Sequence, residues 1–232
     1  MHAPVPPPIP TDMLLLAYRN GIFPMSDSRD DPEVFWVEPK VRAVIPLDGF
    51  AMSRSLRKVV RQGRFTVTCN TAFAQVIDEC AAPRADHPES WISARIAASY
   101  RALHTEGHAH SIECWRDGAL VGGLYGVGFN GVFCGESMFS RADNASKVAL
   151  AWLVALLRRG GAALLDCQFM TDHLASLGAV EITQARYCEL LAVAGALDAA
   201  SLPESFAVLV AEAEGLGVSP DQLIAQSSTQ TS

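Results

Sequence analysis

The longest apolar run in this chain, Val148–Leu157, spans ten residues and stops at Arg158-Arg159. A bilayer crossing needs about 20, so the run belongs in a folded core even though mean hydropathy is +0.18. It lies within Ala145–Arg159, the strongest helical segment of the sequence, which Gly160-Gly161 ends. Trp152 falls inside that helix and reads as core. With 232 residues, half of them hydrophobic, the chain suffices for one large domain, or one plus a small companion. Collagen-like, coiled-coil and wholly disordered classes are excluded.

The first ten residues hold five prolines and form neither a helix nor an inner strand. They also lack the basic flank and apolar centre of a secretion signal. Asp12–Asn20 predicts a short helix, capped by Asp12 and followed by Gly21. A turn-rich loop follows over Gly21–Asp27. Val34–Val37 and Val41–Ile45 predict short strands broken by Pro39 and Pro46. Residues 1–48 are therefore expected to form a small α+β unit. From 49 to 216 the pattern predicts helices at Met52–Gln62, Thr71–Cys80, Ser93–Glu106, Thr171–Leu177 and Thr183–Ala194. Strands are predicted at Phe65–Cys69, Ala109–Trp115, Ala119–Val127, Gly131–Glu136 and Leu164–Gln168, with a hairpin turn at Arg116-Asp117-Gly118. The expected class is α+β, an antiparallel sheet with helices on its faces. A mobile tail is expected over 217–232.

A net charge of −7 argues against a general nucleic-acid binder, yet one basic patch stands out. Arg54, Arg57, Lys58, Arg61 and Arg64 fall in a stretch without a single acid between Gly49 and Ile77. The first four share one helical face, with Leu56, Val59 and Val60 turned inward. Such a face attracts a phosphate backbone; a solvated face neutralised by distant acids explains it equally well. The six cysteines are widely spaced and contain no CxxC pair, which points to free thiols in a reducing cytoplasm.

Several residues could carry chemistry. Trp36 and Trp91 lie in or beside turn-rich segments, where a ring either packs or stacks on a base. His104, His108 and His110 cluster, but without the further ligands that a closed zinc site needs. The run Gly122–Gly128 lacks the Lys-Ser or Lys-Thr ending of a phosphate loop, so close-packed strands with a bulge explain it better. The sharper pattern is Cys134–Arg141 with Leu165-Asp166-Cys167-Gln168. Each is an apolar strand delivering an acid near its end, and alternation puts Asp166 and Gln168 on one face. Glu136, Asp166 and Gln168 could bind and orient an amine; a salt bridge from Glu136 to Arg141 or Lys147 is the structural alternative.

Taken in order, Tyr18–Pro24, Pro39–Val44, Gly107–Glu113, Phe133–Arg141, Asp166-Cys167-Gln168 and Asp172–Ala179 resemble the leucyl/phenylalanyl-tRNA–protein transferase family. The resemblance runs from Met13 to Ala194. It implies a catalytic domain related to the acetyltransferase (GNAT) fold, preceded by a small amino-terminal domain. It implies transfer of Leu or Phe, with Met as a further donor, from Leu-tRNA or Phe-tRNA to acceptor proteins with an N-terminal Arg or Lys, marking them for N-end rule degradation. No metal and no cofactor are implied; the enzyme would be a cytoplasmic monomer without a membrane partner. Carried over by motif, Glu136, Asp166 and Gln168 are catalytic. Trp91 stacks on the terminal adenosine, opposite Met25 or its nearest aromatic substitute, Trp36. Leu124, Phe133, Leu150, Leu157 and Leu165 form the side-chain pocket, and Arg54, Arg57, Lys58 and Arg61 contact the acceptor stem. Many members carry Trp where this chain has Met25. The competing readings are an acyl-CoA-dependent N-acetyltransferase and a non-catalytic tRNA-binding module.

Overall fold

The computed structural model describes residues 7–83 and 89–227. Helix α1 (Thr11–Arg19) leads into a two-stranded antiparallel sheet of β1 (Phe23–Met25) and β2 (Phe35–Val37), with Met25 opposite Phe35. The turn out of α1 falls at Gly21, whose φ of +73° is costly for any residue with a Cβ. The chain then runs through β3 (Val41–Ile45), α2 (Arg54–Arg61), β4 (Thr66–Cys69), α3 (Phe73–Ala81) and α4 (Ala94–Thr105). A meander of β5 (Ala109–Arg116), β6 (Ala119–Phe129) and β7 (Val132–Ser140) follows. Next come α5 (Ala145–Arg159), β8 (Leu164–Gln168), α6 (Asp172–Ala175), β9 (Val180–Thr183), α7 (Gln184–Ala194), α8 (Leu202–Leu216) and α9 (Pro220–Ser227).

Seven strands form one sheet in the order β4-β5-β6-β7-β8-β3-β9. The expected antiparallel sheet is in fact mixed: β7 and β8 run parallel, with Cys134 opposite Asp166. The cause is α5, whose fifteen residues form the long crossover that a parallel pair requires. Val41–Ile45, expected in the amino-terminal unit, instead sits between β8 and β9. The first segment is thus sewn into the main sheet.

Alternation along the strands builds two cores. One packs Leu124, Phe133 and Leu165 against α2, α5, α8 and α9. The other packs Tyr125, Cys134 and Leu164 against α1, α3, α4 and α7. The glycine run does serve close packing with a bulge: pairing of β6 with β7 shifts register between Tyr125 and Gly126. A Cβ at Gly122 would collide with Ala145, and one at Gly126 with the Cys134 carbonyl and the Phe133 ring.

The tail departs from expectation. Residues 220–227 form α9, with Leu223, Ile224 and Ala225 buried against the first core. Ser219 and Gln222 cap it reciprocally at 3.1 and 3.2 Å, and the Trp152 Nε1–H donates to Asp221 Oδ1 at 3.0 Å. Residues 1–6 of the proline-rich start and 228–232 of the tail lie outside the described residues.

Candidate active site

Parallel pairing of β8 with the first residues of β7 brings Gln168, at the end of β8, against Glu136. Glu136 sits in the middle of β7 and not at the expected strand end, because pairing with β6 carries the strand on to Ser140. Gln168 Nε2 donates to Glu136 Oε1 at 2.9 Å, and the Tyr100 hydroxyl donates to Glu136 Oε2 at 2.9 Å. Behind Tyr100, the Tyr18 hydroxyl lies 2.5 Å from the Tyr100 hydroxyl. Glu136 is 7% exposed. Burial pushes its pKa up to about 7, opposed by hydrogen bonds from Tyr18, Gln168 and Tyr100. The salt bridge from Glu136 to Arg141 does not form; Arg141 pairs with Glu79 at 2.8 Å.

Asp166 lies on the same face of β8 and is sealed, at 1% exposure. Its Oδ1 accepts the Gln168 backbone N–H at 2.8 Å. Its Oδ2 accepts from the Tyr187 hydroxyl at 2.9 Å and from Arg42 at 3.1 Å. Burial raises the Asp166 pKa, and the Arg42 guanidinium is the strongest influence against that rise. Gln168 has a φ of +62°, a region that costs a residue with a side chain on the order of 1–3 kcal/mol. The bond to Asp166 holds its backbone there.

A cavity of about 830 Å³ opens beside Gln168 and Glu136, within the usual size for a small-ligand pocket. Leu124, Leu150, Leu153, Leu165 and Met138 supply an apolar wall, and Trp91 and Phe169 also line it. Three of the five expected pocket residues are therefore present. Phe133 and Leu157 do not line it. Phe133 lies under the Gly126 and Gly128 backbone. On α5 the lining stripe is Ser146, Leu150 and Leu153, and Leu157 continues it about 10 Å beyond Leu150 along the axis, inside the core. Asp166 also stands behind the wall. Trp91 is in place, whereas Met25 packs half-buried in the same core cluster as Trp91 without lining the cavity. Trp36 is 41% exposed and does not line it either.

The basic residues are where the spacing puts them. Leu56, Val59 and Val60 of α2 are buried, Arg54, Lys58 and Arg61 are exposed, and Arg57 is half-buried. The N-terminal approach to α2 is tied to the cavity rim, because the Ala51 N–H donates to the Leu177 carbonyl at 2.9 Å, just past the lining residue Leu174. Two of the three clustered histidines are held by hydrogen bonds: His104 Nδ1 contacts the Ala109 carbonyl at 2.8 Å and His110 Nδ1 the Asn70 amide at 3.0 Å. Burial lowers the His110 pKa to about 4. All six cysteines are free. Among the described residues there is no group of three or more metal-ligating side chains, and no helix long and apolar enough to cross a membrane.

Four residues of the network were not singled out from sequence: Arg42, Tyr18, Tyr100 and Tyr187. Arg42 and Tyr18 fall inside segments that carried the family resemblance. Tyr100 and Tyr187 lie on ordinary amphipathic helices, and no local pattern distinguishes them.

Comparison with known proteins identifies the family. Residues 44–192 match the family model described as leucyl/phenylalanyl-tRNA protein transferase, and residues 8–40 match the model of its N-terminal domain. The leucyl/phenylalanyl-tRNA–protein transferase of Novosphingobium aromaticivorans is 59% identical over 98% of both chains. That of Rhizorhabdus wittichii is 61% identical over 80% of this chain and 75% of its own. That of Zymomonas mobilis is 61% identical over 77% of this chain and 67% of its own. Among solved structures, L-PGS from Bacillus licheniformis superposes with a TM-score of 0.38 at 13% identity, covering 71% of this chain and 55% of that one. With both family models matched in order along the chain and a relative 59% identical over nearly its whole length, this chain belongs to the leucyl/phenylalanyl-tRNA–protein transferase family.

Proposed function

We propose that this chain moves Leu or Phe, with Met as a further donor, from its tRNA ester to the α-amine of proteins beginning with Arg or Lys. The observation that carries this is the Gln168–Glu136 pair at the edge of an apolar cavity. Because Gln168 spends its NH2 group on Glu136, its carbonyl oxygen is left to accept an N–H from the incoming amine. The apolar wall suits a γ-branched or aromatic side chain and excludes charge.

In the reaction the amine nitrogen attacks the ester carbonyl carbon, a C–N bond forms, and the C–O bond to the ribose breaks. The proton lost by the amine ends on the leaving ribose oxygen, so the enzyme finishes the cycle unchanged. The ester supplies the driving force, and the protein supplies orientation and electrostatic support. An ionised Glu136 accepts from both Gln168 and Tyr100, and protonation removes one of those acceptor sites. Trp91 stacks on the terminal adenosine; neither Met25 nor Trp36 lines the cavity to supply the opposite side of that platform. Arg54, Arg57, Lys58 and Arg61 grip the acceptor stem by charge. A mixed sheet with one parallel pair and a crossover helix supports the relation to the acetyltransferase fold.

The test is transfer of labelled Leu from Leu-tRNA to acceptors differing only in their first residue. Label on an Arg-start but not an Ala-start acceptor is the expected result. No transfer to either, or equal transfer from acetyl-CoA, refutes the proposal.

A further inference from the structure

We infer that Arg42 is a positioning residue for transfer: its guanidinium pins the Asp166 carboxylate, which in turn holds Gln168 against Glu136. Arg42 comes from β3, 124 residues away in sequence, and is 1% exposed. Its two terminal nitrogens are committed, one to Asp166 Oδ2 at 3.1 Å and the other to the Gly21 carbonyl. The plane rests over the rings of Tyr187, 4.1 Å from centroid, and Phe23, at 5.2 Å. Its Nε has no partner among the described residues. A buried ion pair with a donor left over is a poor way to stabilise a fold, since apolar residues of similar volume do as well or better. Its value here lies in how the Asp166 oxygens are divided. Arg42 and Tyr187 take Oδ2, so the carboxylate cannot rotate, and Oδ1 stays aimed at the Gln168 N–H.

The same guanidinium reaches the turn that launches β1. Phe23 of that strand stacks edge-on with Phe169, 5.7 Å between centroids, one residue beyond Gln168. The amino-terminal segment therefore grips Gln168 from both sides, through Asp166 and through Phe169.

The titratable groups facing Asp166 are Arg42 of β3, Tyr187 of α7, Cys134 and Glu136 of β7, and its neighbour Cys167. Burial raises the pKa of Tyr187, Cys134 and Cys167, so these stay neutral. Arg42 is the cation of this set. Without it, Asp166 loses the main influence that favours its ionised form, and burial then raises its pKa further.

The inference rests on the transferase reading, and the experiment separates the two. Transfer from Leu-tRNA to an Arg-start peptide is followed from roughly pH 5.5 to 9 for the wild type, R42M and R42K, each also in the D166N background. R42M is expected to lower kcat about 100-fold near pH 6.5 with KM for Leu-tRNA unchanged. The deficit should shrink as pH rises, while R42K keeps the wild-type pH dependence at a lower kcat. In the D166N background either Arg42 substitution should cost less than about threefold. A pH-independent loss, a rise in KM alone, or the same factor with and without D166N overturns the role of Arg42. If R42M does not fold, the R42K comparison in the two backgrounds decides. A wild type that transfers nothing refutes the functional reading itself.

Discussion

On one face of the seven-stranded sheet, Arg42, Glu136 and Asp166 form a polar cluster with three tyrosines of α1, α4 and α7. On the other, Leu124 and Leu165 meet Leu150 of α5 in an oily wall. Both faces come from the same strands: Leu165 looks one way and Asp166 the other. On the proposed function, strand alternation separates recognition of an apolar side chain from handling of an amine, and the cavity lies where the end of β8 lets Gln168 and the oily face both reach it. The difference also divides costs. The oily face stabilises the fold as it recognises, whereas the polar face holds carboxylates where burial penalises their charge.

Glu136→Gln should produce the largest effect, and in opposite directions for function and stability. The neutral amide no longer accepts from both Gln168 and Tyr100, and we expect transfer to fall by about 10²–10⁴-fold. The wild-type kcat should rise with pH through about 7 as Glu136 ionises, and that limb should vanish in the variant. For stability, the folded pKa of about 7 lies above the ordinary value of 4.5, so the folded state binds the proton more tightly. Wild-type stability then declines as pH rises from about 4.5 to 7, by on the order of 3 kcal/mol. The variant escapes that decline. Its Tm advantage should be near zero at about pH 4.5 and reach roughly 6–12 °C above pH 7. Thermal melts across that range check it, and a pH-independent difference would break the contrast between the faces.

The two faces were not equally legible in the sequence. Helix α5 and strand β8 fall on their expected residues, Ala145–Arg159 and Leu164–Gln168, because an apolar run bounded by Gly or by charge is a local signal. Asp166 and Gln168 lie at the end of β8 as expected, whereas β7 runs four residues past Glu136; the structure still puts Glu136 and Gln168 in direct contact. The supports behind them depend on partners distant in sequence: Arg42 and Asp166 are 124 positions apart, Tyr18 and Tyr100 are 82 apart. Phe133 and Leu157 have the right chemistry for the pocket, but Leu157 lies one turn past Leu153, the last lining residue of α5, and Phe133 packs under the Gly126 and Gly128 backbone. By contrast, α9 carried a local signal that went unused, since Ser219-Pro220-Asp221-Gln222 is a capping box with Pro at the first helical position. Its apolar residues have meaning only beside α2, α8 and α5.

On the oily side, Leu150→Ala should change selectivity rather than chemistry. Removing the side chain deepens the cavity opposite Leu124 and Leu165, which favours Phe over Leu. The ratio of kcat/KM values for Phe-tRNA and Leu-tRNA should shift by about tenfold, with a stability loss of about 2–3 kcal/mol, the low end for core truncation because one side of Leu150 already faces a void. Competition between the two labelled tRNAs measures the shift. If kcat fell equally for both donors, the division between faces would be incomplete.

The smallest expected effect comes from the basic helix, and it asks how far the oily side extends outward. Helix α2 packs Leu56, Val59 and Val60 into the same core as α5 and leaves Lys58 and Arg61 exposed. A charge at such a site acts through the ion atmosphere of the RNA and not through the reacting atoms. Lys58→Glu should therefore weaken tRNA binding about fivefold at low salt, roughly 1 kcal/mol. The slope of log K against log salt should become shallower by about 1 for each phosphate that is no longer neutralised. Filter binding over a salt series gives both quantities, and single-turnover transfer at saturating tRNA should be unchanged. A slower single turnover would mean that the cations of α2 help seat the ester at Gln168. Binding at the acceptor stem and chemistry at the strand ends would then be coupled across the sheet.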